Sequence, residues 1–158
     1  MTMNINECMK RNVVSVPATL TIAEAAAIFV ARKVGMLPVV DEMGKPIGVV
    51  SLRDLLDLEL PDFINLIADL DFVHDFGAVE TTRPSLEELA QPVTSIMQPI
   101  TTIPEDCGLL RAYAMMLQHN LLDFPVVTKN DKLVGIASRV DVGTAILSHW
   151  KSEEKKKK

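Results

Sequence analysis

Two short runs carry the side chains best suited to chemistry, Ser51-Leu-Arg-Asp54 and Ser138-Arg-Val-Asp141. Each stands where an apolar run gives way to a helical pattern. A serine at a helix start can donate its hydroxyl to a phosphate, and the free amides and partial positive charge of the first turn suit the same anion. Aspartate is an acceptor-only carboxylate and can take both hydroxyls of a ribose. Arg53 and Arg139 lie inside the runs and can offset phosphate charge. The same Ser-x-x-Asp spacing is also that of a capping box, worth about 1 kcal/mol to a helix start without any ligand. Spacing alone leaves both readings open.

The elements that position these runs occur twice. Leu-Pro38-Val-Val and Gly48-Val-Val-Ser51 are matched by Phe-Pro125-Val-Val and Gly135-Ile-Ala-Ser138, and the offset is 87 residues at Pro38/Pro125, Gly48/Gly135, Ser51/Ser138 and Asp54/Asp141. From Val13 to Asp54 the register needs no gap, and ten of the 42 positions are identical. Such self-similarity marks two copies of one supersecondary unit, neither able to bury its apolar face alone.

Within the first copy, Val13–Val16 is a β-rich run stopped by Pro17, and Thr21-Ile-Ala-Glu24 has capping-box spacing. Ile22, Ala25, Ala26, Phe29 and Val30 then form a helical stripe, and Gly35 is placed to end that helix in the left-handed conformation. Strands follow at Leu37–Val40 and Ile47–Val50, the latter apolar throughout as in a strand buried on both faces, and a second helix runs from Ser51 toward Pro61. The second copy repeats the order β-α-β-β-α: Ile100–Ile103, a stripe from Leu109 to Leu117, Asn120 at the helix end, strands at Phe124–Thr128 and Leu133–Ala137, and a helix to about Trp150. The fold class is therefore α/β (α+β). The organisation reads as a first repeat over 1–57, a helical insertion over 58–93, a second repeat over 94–150 and a disordered tail over 151–158.

Composition removes several functions. A net charge of −5 argues against broad contact with nucleic acid, which calls for a basic face. No apolar run approaches membrane-spanning length and no signal-like segment opens the chain, so a cytoplasmic location is expected. Cys8 and Cys107 hold non-equivalent repeat positions and suggest no disulfide framework. Neither they nor His74, His119 and His149 sit in an activating motif, so no catalysis, metal or cofactor is expected. Asp69, Asp71, His74 and Asp75 lie in an acidic stretch that reads as a solvated face rather than a cation site, because the spacing of a calcium loop is missing.

Taken together, the Met9 and Met97 openings, the Pro17 and Pro104 stops, the Ala25 and Ala112 helices, the Pro-Val-Val strands and the two Gly-x-x-Ser-x-x-Asp turns resemble the CBS domain family, named for cystathionine β-synthase. The resemblance covers both copies. It implies a Bateman module: two units about a pseudo-two-fold axis, with two clefts that bind adenosyl compounds (AMP, ADP, ATP, S-adenosylmethionine or cyclic di-AMP) and signal to a protein partner, usually as a homodimer. It also implies that Ser51, Asp54, Ser138 and Asp141 meet phosphate and ribose, with Arg53 and Arg139 nearby. The base would stack among Met36-Leu37 or Asp123-Phe124 and bond the backbone near Val14 or Thr101. The alternative is a dimerisation scaffold that has lost its ligand. Met36 against Asp123, and Arg53 against Arg139, imply two inequivalent clefts.

Overall fold

The computed structural model describes residues 3–59 and 83–157. The expected insertion helix through Phe63, Ile64, Ile67 and Leu70, and the acidic group at Asp69, Asp71, His74 and Asp75, lie outside the described residues.

Each copy folds as a three-stranded sheet with helices against it. In the first, β1 (Val16–Pro17) runs parallel to β2 (Met36–Val40), and β3 (Pro46–Ser51) is antiparallel to β2, giving the order β1-β2-β3. Helix α1 (Ile22–Arg32) crosses over between β1 and β2, and α2 (Leu52–Leu56) follows β3. A further turn of helix, α3 (Leu86–Leu89), precedes the second copy. That copy contains β4 (Ile103–Pro104), α4 (Leu109–Gln118), β5 (Asp123–Val127), β6 (Leu133–Ser138) and α5 (Arg139–Lys157). The ladders match pair for pair: Val16 faces Val39 as Ile103 faces Val126, and both hairpin ladders shift register after that valine.

Thr21 closes the expected capping box, its hydroxyl accepting from the Glu24 amide at 3.1 Å while Glu24 Oε1 accepts from the Thr21 amide at 3.1 Å. Ile22, Ala25 and Phe29 bury their face, as do Leu109, Ala112 and Met116, whereas Val30 and Leu117 fall on the exposed side of their stripes. Three expectations are corrected. Lys33, not Gly35, ends α1 in the left-handed region (φ 52), and Asn120 (φ 51) stands 87 residues on. Ile47 is 39% exposed, because β3 is an edge strand with only alternate residues facing the core. Helix α5 continues to Lys157 where a frayed tail was expected; Lys and Glu are good helix formers and extend a helix already nucleated against the core.

The copies exchange their opening segments. The turn at Ile5–Glu7 belongs by sequence to the first copy, yet Ile5 and Met9 sit in the core with Ile103, Met116, Phe124 and Val126. The turn at Val93–Ser95 opens the second copy, yet Val93 joins Val16, Phe29, Leu37 and Val39. Backbone pairs fix both crossings. Lys10 donates to Ile136 at 2.8 Å and accepts from it at 2.9 Å, while Gln98 does the same with Val49 at 2.8 and 3.0 Å. Gly135 and Gly48 make the approach possible, because a Cβ at Gly135 would meet Met9 Sδ and the Lys10 carbonyl, and one at Gly48 would meet the Met97 side chain.

The two glycines therefore differ in tolerance. At Gly48 only a flexible side chain opposes a methyl group, whereas at Gly135 the backbone oxygen of Lys10, at 3.0 Å, also stands in the way. Gly135→Ala is expected to cost about 1–3 kcal/mol in urea unfolding. Gly48→Ala should cost less, and Met9→Ala should relieve only part of the loss at Gly135.

Candidate functional site

Both Ser-x-x-Asp runs form first turns, and both close a capping box. The Ser51 amide and hydroxyl donate to Asp54 Oδ2 at 2.7 and 2.9 Å, and the Asp54 amide donates to Ser51 Oγ at 3.2 Å. The Ser138 amide donates to Asp141 Oδ2 at 3.0 Å, and the Asp141 amide donates to Ser138 Oγ at 3.0 Å. Capping thus occupies one carboxylate oxygen and fixes the place of the other. For Asp141 that other oxygen, Oδ1, lies 3.9 Å from Lys10 Nζ. The structural and ligand-binding readings of these residues are compatible.

Beside Asp141 is a cleft of about 240 Å³ in which the two copies face each other. Val14 and Met36 come from the first copy, and Asp123 and Ile136 from the second. Lys10, Asn12 and Lys33 also line it, so two residues of its wall carry positive charge. The strand β1 is short because only Val16 and Pro17 pair with β2, which leaves Val13 and Val14 in an extended segment along the cleft wall. The volume is just under the ~300 Å³ at which drug-sized pockets begin.

Asp123 is half-buried here, and burial pushes its carboxyl pKa up; the Asp141 charge raises it further, while Lys10 pulls it down. Burial also pushes the Cys8 and Cys107 thiols up, which lowers their thiolate fraction and nucleophilicity. Among the described residues no group of three or more His, Cys, Asp or Glu side chains could hold a metal ion.

The remaining expected site residues are distributed differently. Arg139 turns away from the cleft: its Nε donates to the Leu121 carbonyl at 2.7 Å and its guanidinium reaches the Met116 carbonyl and Asn120 Oδ1 at 3.4 Å, so it caps the end of α4. Arg53 is exposed and faces Asp57 at 3.8 Å on its own helix. Leu37 and Phe124 expose no surface, since their strand positions point into the two cores, and as they stand they support the cleft from behind. Thr101 is half-buried at the position in the second copy that Val14 holds in the first. Lys10, Asn12, Lys33 and Ile136 are among the cleft residues that sequence reasoning missed. Only the mismatch of Lys33 with Asn120 in the repeat alignment could have pointed to one of them.

A second concavity, about 230 Å³, lies on the helix side of the first copy among Ile22, Phe29, Leu52 and Leu55. It is apolar apart from Glu59, and neither Ser51 nor Asp54 lines it.

The CBS domain model matches residues 5–60 and 93–148, which takes in both copies, their exchanged openings and both Ser-x-x-Asp turns. The chain belongs to the CBS domain family. This CBS pair is 29% identical over 139 residues to an uncharacterised protein of Methanocaldococcus jannaschii, covering 87% of this chain and 30% of that one. It is 25% identical over 139 residues to an uncharacterised protein of Methanopyrus kandleri, covering 88% and 60%. The chain thus spans less than two thirds of the length of both relatives. Among solved structures, the CBSX2 protein of Arabidopsis thaliana in complex with AMP superposes with a TM-score of 0.68 at 27% identity, covering 92% of this chain and 96% of that one.

The position of Asp123 gives this CBS pair a pH signature. Its pKa is raised in the folded state, so between the ordinary value of about 3.9 and the raised value the folded protein holds the proton more tightly than the unfolded chain. Stability from this group therefore falls as pH rises through that window and stays lower above it. Asp123→Asn should raise Tm at pH 7, with the gain shrinking toward pH 3 in matched thermal melts.

Proposed function

We propose that this CBS pair is a non-catalytic regulatory module that binds an adenine nucleotide in the cleft beside Asp141 and passes the bound state to a protein partner. The observation that carries the reading is the meeting of Val14 and Met36 from one copy with Asp123 from the other, beside an Asp141 whose Oδ1 is left over from its capping box. Its AMP-bound relative CBSX2 supports the choice of ligand class. Asp141 would accept the ribose hydroxyls, and Met36 would pack against the base. Because the ligand touches both copies, it would bind one relative arrangement better and shift the population toward it.

Homodimerisation belongs to the same reading. The outer helices expose Leu110, Leu117, Leu147 and Trp150, apolar side chains that a second copy would cover. Among the described residues no helix is long and apolar enough to cross a membrane. A cytoplasmic location is proposed with the rest.

Thermal melts with adenine nucleotides test the proposal. AMP at a hundredfold excess over its dissociation constant should stabilise the fold by about 2.7 kcal/mol. Asp141→Asn should weaken AMP binding at least tenfold while costing the free protein no more than the ~1 kcal/mol of a lost cap. Absence of a shift with any adenylate, or loss of stability in the variant without loss of affinity, would leave the scaffold reading instead. Sedimentation at rising protein concentration checks the dimer.

A further inference from the structure

The backbone places Lys10 and Gln98 at equivalent points. Each exchanges two hydrogen bonds with the third strand of the other copy, Lys10 with Ile136 and Gln98 with Val49, and those strand residues are 87 apart. Lys33 and Asn120 are equivalent too, since each is the left-handed residue between the first helix of its copy and the following strand. Both residues of the first pair of partners, Lys10 and Lys33, line the cleft beside Asp141. Their counterparts on the pseudo-symmetric side, Gln98 and Asn120, are neutral. At these two backbone positions the scaffold is the same twice and the lysine charge is placed once; the Arg139 guanidinium that reaches Asn120 Oδ1 is committed to the Leu121 and Met116 carbonyls.

The lysines also belong to different halves. Lys10 is carried by β6 of the second copy through its backbone pair with Ile136, while Lys33 follows α1 of the first. Two carboxylates share the space: Asp123 lines the same cleft, and Asp141 Oδ1 lies 3.9 Å from Lys10 Nζ. Asp141 already accepts from the Ser138 amide, and Lys10 is 68% exposed at its side chain, so its three donors are not all committed to carboxylates.

We propose that the cleft beside Asp141 reads the charge of its ligand's tail: Lys10 and Lys33 together hold an anionic group of the phosphate class, and the pseudo-symmetric side, with Gln98 and Asn120, makes no such selection. The inference rests on the adenosyl-binding reading above and adds the residues that choose among adenosyl compounds. An anion held between the two lysines adds a tie between the copies to those made by the base and the ribose, and an uncharged nucleoside lacks that addition.

Titration calorimetry on the full chain with adenosine and with AMP tests this, in the native protein and in Lys10→Gln, Lys33→Asn and the double variant. Each substitution installs the residue that the other copy uses at the same backbone position, so the fold is retained and unchanged melts confirm it. The expected result is that AMP binds more tightly than adenosine in the native protein. That preference should drop about tenfold for each lysine removed and weaken with added salt, while adenosine affinity stays constant. A preference unchanged in the double variant, with adenosine still bound, overturns this inference alone. Parallel loss of both ligands in the variants also overturns it, because the lysines would then shape the cleft rather than read the tail. Failure of the native protein to bind either ligand overturns the adenosyl reading and this inference together.

Discussion

The structure depends on a reciprocal backbone exchange. Lys10 pairs with Ile136, and Gln98 pairs with Val49, so each copy carries the opening segment of the other against its outer strand. Loss of these hydrogen bonds would leave strand-edge amides and carbonyls without their partners, and the Met9 and Met97 side chains lie over Gly135 and Gly48 at the crossing points. Neither core is complete without the exchange, since Ile5 and Val93 are fully buried in the half to which they do not belong by sequence. The exchange also brings Lys10 to the wall of the cleft. The segment that completes the second core is therefore also the one that brings Lys10 to the site.

The Ser-x-x-Asp turns show how a structural device can prepare a binding residue. Capping draws Oδ2 of Asp54 and Asp141 into their own helix starts and fixes the side-chain rotamer, so Oδ1 stands at a defined place before any ligand arrives. Preorganisation of this kind lowers the ordering cost of binding. Arg139 illustrates the reverse case. Its place beside Ser138 suggests an anion partner, but three acceptors at the end of α4 lie within its reach and claim the guanidinium.

Much of the fold was legible because the repeat states it twice. The two Pro-Val-Val strands, the Thr21 capping box and the Gly-x-x-Ser-x-x-Asp turns are local signals, and each appears where the spacing puts it. Boundaries were less legible. Val13 and Val14 have strand composition yet stay outside the ladder, which pairs only Val16 with Val39 and Pro17 with Val40, and the next residue back in β2, Pro38, has no amide hydrogen to donate. Lys33 takes the left-handed turn that glycine would take more easily, because the stripe that buries Phe29 ends there and Gly35 comes two residues late for the turn into β2.

For the site, the sequence by itself determined which chemistry was available: two serines, two aspartates and an uneven pair, Met36 and Asp123, at matched positions. These follow from type and spacing, which are local. Only the tertiary structure decided which of them share a cleft. It set Val14 and Met36 opposite Asp123, sent Leu37 and Phe124 into the cores, gave Arg139 to a helix end, and added Lys10 from a segment more than a hundred residues away from Asp123 in the chain. The physical reason is that a cleft between two copies is lined by the side chains left over after each core is filled and each backbone edge is paired. What is left over depends on the exchange of Lys10 and Gln98 across the molecule, a long-range pairing that no local pattern encodes.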